Sequence, residues 1–476
     1  MIGCFRSIFE GCLPAFKQSR TFDRARSLAL GVLGCLGRCT ITGMLSANGS
    51  QFKDWSAAYR LFKGDRMNLD GIFGAVRRRV QKLNLSSEDT NIYGHMDDTL
   101  FRKKGRNVFG ASWLRDPLGP PFANNFVWGQ RFIQVSLSLL ENGSSGPSKA
   151  IPVDLVHCPA TRKPGKTASQ AEIDIFKETQ KKAKLSEIGA QRIVKLRTDL
   201  DSDGHAERKL VISVDGSYTN ETVIRKLPDN VDMIGRIRKD CKLYALPCEQ
   251  PQGSGRKKYY GEELPTPEMI RQDQQYPYMA VRAWAAGKIR SFDVKVIRNV
   301  RWRKSGPKNL MLVIVRPVGY RLTKKSKLLY RNPAYLICTN PEMEISMLLQ
   351  AYIRRWEIEV GFRDQKTLIG CGQAQVRLKG VVEKVPAFIS ACYGMMLLAA
   401  HETNLTEKVS LPGTKWYKNA LRTRTTTGDI LNRFRAEKWL ESIRINFSDF
   451  VNIEKKMAKL EKLANPILSS LFYMRN

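Results

Sequence analysis

Acidic residues are what this 476-residue chain is short of: 45 Asp and Glu stand against 79 Lys and Arg, a formal net charge of +34. An excess of that size, running from Arg24 to Arg475, argues against a small neutral substrate and makes nucleic acid the leading partner. Histidine is scarce, with four residues, and none of the ten cysteines falls in a Cys-x2-Cys pair. Zinc-ligand spacing is therefore absent, and a chain this long needs no disulfide framework, so the thiols read as reduced and the location as cytoplasmic and nucleoid-associated. Long apolar runs are missing too. The longest, Ala387 to Ala400 after Pro386, has 14 residues, against the ~20 that cross a bilayer. It reads as a buried core helix and excludes a membrane partner. Arg6, Glu10 and Lys17 interrupt the apolar pattern of the first residues and leave no convincing signal-peptide core.

Helical spacing begins near residue 20. Asp23–Arg38, Phe52–Phe62 and Leu69–Leu83 each read as a helix, with Gly43, Asn48 and Gly49 between the first two and Arg77, Arg78 and Arg79 near the end of the third. Such a set forms a small bundle and, given the charge, a DNA-contacting module. From residue 91 the pattern turns to strands. Asn91–Asp97 is one, Phe126–Leu140 and Lys149–Val156 form a hairpin around Asn142-Gly143-Ser144-Ser145-Gly146-Pro147, and Leu210–Val214 is an unbroken apolar strand. A charged helix from Gln170 to Lys184 or beyond lies between the last two, which makes a mixed α/β core. The alternating segments Met279–Trp284, Ile289–Val300 and Leu310–Val315, separated by Gly287 and Ser305-Gly306-Pro307, suggest a β-meander. Helical periodicity returns after residue 340. The end of the chain, from about 403, is helical and charged, and Ile453–Leu463 is rich in Lys and Glu.

Tyr352 to Lys366 carries the most information. At 100° per residue a helix puts Tyr352, Arg355, Glu359 and Lys366 on one narrow stripe, roughly 60° wide. Asn340-Pro341-Glu342 supplies an N-terminal cap and Gly370 a stop. An Arg and a Glu four apart are commonly no more than a solvated pair. The spacing Tyr-x2-Arg-x3-Glu-x6-Lys, however, resembles the signature of the DDE transposases of the insertion-sequence-four group and its relatives, in which the glutamate is the third catalytic acid. Glu357 falls well away from the stripe, which singles out Glu359.

Transfer of a phosphodiester needs charge neutralisation on both the attacking and the leaving oxygen, which two hard divalent ions held by carboxylates provide. Asp215 ends the apolar strand Leu210–Val214 and precedes Gly216, the place where ligands gather in α/β sheets. An Asp there also opens turns and caps helices. Earlier, His95-Met96-Asp97-Asp98-Thr99 closes the first strand, and only one of Asp97 and Asp98 can face the site, since neighbouring strand residues point opposite ways. The Asp-x-Thr context of the resembling group selects Asp97, with Asp98 the fallback.

The resemblance implies an RNase H-like mixed-sheet core interrupted by a β-rich insertion between the second acid and the glutamate. The divisions expected are a helical DNA-binding region over 1–88, the first part of the core over 89–235, the insertion over 236–339, the second part of the core with the signature helix over 340–402, and a helical region over 403–476. Asp97, Asp215 and Glu359 would hold two Mg²⁺ ions, with Mn²⁺ a substitute. Tyr352, Arg355 and Lys366 would contact phosphates of double-stranded DNA at the terminal inverted repeats, and the chain would work as a homodimer that cleaves there and joins the ends to target DNA. Arg102, Lys103 and Lys104, followed by Gly105 and Arg106, read as a phosphate-tracking segment or as a solvated loop. Trp284 and Trp302, the latter flanked by Arg301 and Arg303, are candidates to hold an extruded base of a hairpin intermediate. Arg377 and Lys379, within Val376–Lys379, continue the family pattern. Alternatives are a DNA-binding relative without cleavage and a general metal-dependent nuclease.

Overall fold

The computed structural model describes residues 1–50, 52, 54–85, 91–116, 125–141, 143, 146–161, 163–247, 258–323, 325–403 and 425–442. Three of the expected hairpin-turn residues (142, 144 and 145), the Lys/Glu-rich stretch 453–463 and most of the expected helical region 403–476 lie outside the described residues. Five helices come first: α1 (Ile2–Glu10), α2 (Ser19–Gly34), α3 (Ile41–Ser46), α4 (Trp55–Phe62) and α5 (Leu69–Asn84). Asp54 and Asn68 cap α4 and α5 by accepting backbone N–H bonds. The strands β1 (Ile92–Arg102), β2 (Ser112–Arg115), β3 (Phe126–Leu140) and β4 (Ser148–His157) follow, then α6 (Gln170–Lys182), α7 (Leu185–Ser202), β5 (Leu210–Val214), α8 (Glu221–Arg225) and β6 (Val231–Arg236). Next come α9 (Pro267–Gln272), β7 (Met279–Ala285), β8 (Lys288–Val300), β9 (Leu310–Val315), the short ribbon β10 (Gly319–Tyr320) and β11 (Leu329–Tyr330), and β12 (Ala334–Cys338). The helices α10 (Ile345–Arg354), α11 (Trp356–Asp364), α12 (Lys379–Glu402) and α13 (Thr427–Ser442) complete the described elements.

Ten strands form one sheet in the order β2-β3-β1-β5-β6-β12-β9-β8-β7, with β4 also paired to β3. β4, β3 and β1 run antiparallel, while β1, β5 and β6 are parallel neighbours. This is the mixed, RNase H-like order expected, with helices toward both ends of the chain. Helices cover both faces, which is why the five residues of β5 are all buried and all but one apolar. Period-two alternation sorts the side chains: Met96, Ile212 and Val214 share a core with Ile193 and Leu196 of α7, whereas Tyr93, Val211 and Ile234 pack against Leu348, Leu349 and Ala351 of α10.

The strand-rich stretch 236–339 does not fold as a sheet of its own. β12 pairs antiparallel with β6, and β9, β8 and β7 continue outward from it. The pairing follows from composition, because β9 (Leu-Met-Leu-Val-Ile-Val) is apolar on both faces and needs neighbours on both edges. α12 differs from the expected 14-residue run as well. Pro386 lies inside this 24-residue helix. Although α12 is long and apolar enough to cross a membrane, 89% of its apolar window is buried, and it forms the axis around which α1, α2, α5 and β4 pack. Two of the three arginines near the end of α5 lock this arrangement. Buried Arg77 lies 2.9 Å from Asp199 and 2.6 Å from Asp203 at the end of α7, and Arg79 pairs with Glu402 at the end of α12.

Candidate active site

Register brings two carboxylates side by side. β1 does not close at Asp97–Thr99 as expected but runs on to Arg102, because β3 continues to pair with it there. Its parallel pairing with β5 ends at Met96 opposite Val214, so Asp97, in the middle of β1, lies beside Asp215, just past the end of β5. Both are odd-numbered positions, on the face covered by α10, where Ser213 Oγ donates to the Ala351 carbonyl at 3.1 Å. Asp98 points the other way. It accepts from the Tyr218 hydroxyl at 3.0 Å and pairs with Arg131 at 3.2 Å. The alternation thus separates Asp97 from the fallback. On β6, Gly235 gives room for the chain leaving β5, since a Cβ there would fall 2.2 Å from Thr219 Oγ1.

The signature segment is not one helix. Glu344, rather than Asn340, caps it by accepting from Ser346 and Met347 N–H, because Pro341–Glu344 forms a turn before the helix starts. α10 stops at Arg354, α11 starts at Trp356, and Gln365–Ile369 forms a π-type turn that Gly370 ends at φ +84°. α11 is held to the sheet by a small cluster of Ile358, Phe362 and Ala150. The joint at Arg355 aims its guanidinium between two acids: Nη1 lies 3.1 Å from Asp97 Oδ2 and Nη2 lies 2.8 Å from Glu359 Oε1. Its carbon Cζ sits 5.8 Å from the centre of the Tyr352 ring. The neighbouring Arg354 turns the opposite way, buried over Tyr93 and donating to the Gly146 carbonyl at 3.0 Å.

Burial pushes the Asp97 carboxyl up to about 7, reinforced by Asp215 and Asp98 and opposed by Arg355 and the Asp98 N–H. Burial works against the Arg355 charge, but Tyr352, Asp97, Glu359 and Asp215 together outweigh it and hold the guanidinium above its ordinary value. Burial raises the Tyr352 phenol. The site is a carboxylate cluster short of positive charge, with one arginine as its internal cation.

The remaining sequence-nominated residues scatter. Lys366 is half-buried, its Nζ 5.9 Å from the Phe101 and Phe362 ring centres, because the π turn rotates it off the stripe expected of a regular helix. Arg102 is exposed and paired with Asp116 at 2.7 Å. Lys103 is turned inward, donating to the Gly372 carbonyl at 2.6 Å, while Lys104 is exposed. Trp302 is 7% exposed and part of the main core. Trp284 is half-buried in β7, where its backbone N–H donates to Gln350 Oε1 of α10 at 2.7 Å. Of the four described histidines none joins the carboxylates; His95, on the same strand, is buried and bonded to Ser138.

Sequence reading missed Arg236, which follows Gly235 at the end of β6 and is close enough to favour the ionised Tyr352 phenol. The strand-end rule that selected Asp215 would have found it. It also missed Trp356, 58% exposed beside Arg355, and the exposed Trp113, stacked edge-on against Trp128 with centroids 5.7 Å apart. Exposure of a tryptophan leaves no periodic signal.

Asp97 and Asp215 form an all-oxygen donor pair of the kind that suits a hard divalent cation. Among the described residues no three Asp, Glu, His or Cys groups lie close enough to hold one ion. Glu359 reaches Asp97 through Arg355.

A family model described as DDE superfamily endonuclease matches residues 9–307, more than half of the chain. The match spans Asp97 and Asp215 and stops before Glu359. No curated protein matches the chain.

Proposed function

Because this chain belongs to the DDE superfamily endonuclease family, whose members act on DNA with divalent metals, we propose that it is a transposase of the insertion-sequence-four type. In this reading it cleaves at the terminal inverted repeats of its own element and joins the freed ends to target DNA, as a homodimer, with Mg²⁺ or Mn²⁺. The observation that carries it is the shared face: Asp97 on β1 beside Asp215 past the end of its parallel neighbour β5, with Glu359 tied to Asp97 through Arg355.

Asp97 and Asp215 would hold the metal, and Glu359 would join them only by giving up its bond to Arg355. When bound, the ions supply charge neutralisation on the attacking and leaving oxygens and lower the pKa of water or of a hydroxyl. The chain's own residues do the rest. Arg355 bridges Asp97 and Glu359 and favours the ionised form of Asp97. Tyr352 and Arg355 would contact the phosphate backbone beside the acids; Lys366, held against Phe101 and Phe362, and Arg102, paired with Asp116, would have to leave those contacts to join them, and Lys104 is an exposed cation. Lys103 and the tryptophans Trp284 and Trp302 are engaged in packing or backbone contacts, so a base-holding or phosphate role for them would need those contacts to change.

The test uses a labelled duplex carrying the element's terminal repeat, with the wild type and Glu359→Ala, in Mg²⁺, Mn²⁺ and EDTA. Metal-dependent cutting at the repeat boundary followed by strand joining, both lost in the variant with DNA binding retained, is expected. Fragments without joined strands would favour the second reading, a general metal-dependent nuclease, which the endonuclease match alone also supports. Binding without cutting by either protein would reduce the chain to a DNA-binding relative.

A further inference from the structure

A cavity of about 1220 Å³ opens beside the turn that follows Asp215. Gly216 and Thr219, just past Asp215, form one wall, and the chain leaving β6 from Arg236 onward forms another. The turn Arg303–Ser305 between β8 and β9 closes the far side. Its charge is one-sided. The two acids in the lining are already taken, Asp240 by Arg238 and Glu268 by Arg271. Arg236, Lys239, Arg303 and Lys304 are exposed and, among the described residues, have no carboxylate partner. Four uncompensated cations around one concavity make a field that concentrates polyanions.

The aromatic residues of this cavity decide what kind of polyanion contact it makes. Tyr244, Trp302 and Tyr335 are each less than a tenth exposed. Two of the cations lie against these rings, Arg303 over Tyr244 at 5.0 Å and Lys304 over Trp302 at 5.3 Å. Rings covered in this way offer no open face for base stacking, but they fix the cations that cover them. The volume lies a little above the roughly 300–1,000 Å³ of small-ligand sites, enough for a few nucleotides of one strand and too little for a duplex.

We infer that this cleft binds a single DNA strand through its phosphates, without reading its bases. It would take the strand that runs on from a phosphate placed at Asp97 and Asp215. The choice of DNA rests on the endonuclease reading; the cleft's chemistry does not.

Equilibrium anisotropy in EDTA tests it, with fluorescein-labelled 12-nucleotide single strands of two unrelated sequences and a 12-base-pair duplex, titrated with NaCl. The proteins are the full-length wild type, the Lys239→Glu/Lys304→Glu double variant, and a control with the same charge change on the exposed helix α6, Lys177→Glu/Lys181→Glu. The expected result is equal affinity for the two single strands, a loss of about tenfold or more in the cleft variant, and a log–log salt slope shallower by about 1.4, at about 0.7 per contact. The control should stay near wild type, and the duplex should be affected less than the single strands. An equal loss in the control, an unchanged cleft variant, or preference for one sequence would overturn the inference. Because binding is read without metal or cleavage, such a failure leaves the endonuclease reading standing. A protein that holds the strand and never cuts would break that reading and leave this one intact.

Discussion

Two cation-rich regions of the molecule, one a contiguous run and the other gathered from two distant segments, behave differently in the fold. Near the end of α5, Arg77 is sealed between Asp199 and Asp203, and Arg79 is paired with Glu402. Around the end of β6, Arg236, Lys239, Arg303 and Lys304 face a cavity with no acid left to meet them. The first set holds α5 against α7 and α12; the second projects charge. A net charge of +34 is therefore not a measure of nucleic-acid surface, since part of it is neutralised internally. What matters is which cations the fold leaves without partners.

The largest effect expected from this contrast is on stability. Arg77→Ala takes the buried cation from Asp199 and Asp203 and leaves them Lys195 and Arg78, and it should cost about 3 kcal/mol, seen as a lowered denaturant midpoint with an unchanged salt slope for DNA binding. A variant that weakens DNA binding while unfolding at the wild-type midpoint would erase the distinction. Arg355 belongs to neither set, being both paired and placed in the site. Arg355→Ala should slow cleavage about a hundredfold, on the scale of losing one preorganised charge donor, and move the acid limb of the pH–rate profile upward, because Asp97 loses the cation that opposes its burial. An unshifted limb would show that Arg355 does not act through Asp97.

Proton linkage gives the next effect. Burial, with Arg354 and Arg355 adding to it, pushes His95 down to about 3, and burial together with Lys103 pushes His157 down to about 4. A depressed histidine means that the unfolded chain takes up protons first, so this stability is present above about pH 6.5 and is lost on acidification through the window down to those values. Asp97, raised to about 7, has the opposite sign: its folded form takes up the proton first and gains stability as pH falls below 7. Thermal melts of Asp97→Asn should therefore fall more steeply than wild type between pH 6.5 and 4, by up to ~1.4 kcal/mol per pH unit. Parallel curves would mean that Asp97 titrates normally. Smallest of all, Lys239→Glu should change stability by no more than about 0.5 kcal/mol, as expected of an exposed residue outside any network. A larger loss would place Lys239 with the committed cations.

The end of β5 was legible because two local signals coincide there, an apolar run and the acid Asp215 that follows it. Asp97 was picked as a strand end too, yet β1 runs on to Arg102, since pairing to β3 rather than any local signal sets its length. Glu359 was legible through spacing alone. The break at Arg355 was not, since a helix that bends by one residue keeps nearly the same hydrophobic period. The π turn that carries Lys366 off the stripe is silent for the same reason. Asn340 and Pro341 looked like a helix start, but Glu344 competes for the capping role four residues after Asn340 and wins. The joining of β7, β8, β9 and β12 to the main sheet depends on pairing between β6 and β12, almost a hundred residues apart in sequence, and no local pattern encodes it. Trp302 drew notice for its arginine neighbours, yet its ring is core, and only burial could show that.

The opposite facing of Asp97 and Asp98 on β1 has a consequence for how this gene can change. Substitutions along the strand leave its phase intact. With the pairing to β5 held, loss of a single codon between Ile92 and Asp97 would swing Asp98 into the place of Asp97, gain of one would put Met96 there, and either would carry the apolar residues beyond it to the wrong faces of the sheet. Insertions and deletions in that short stretch should be absent from working copies even where point changes are common, so deep mutational scanning of length variants would read the parity of β1 directly.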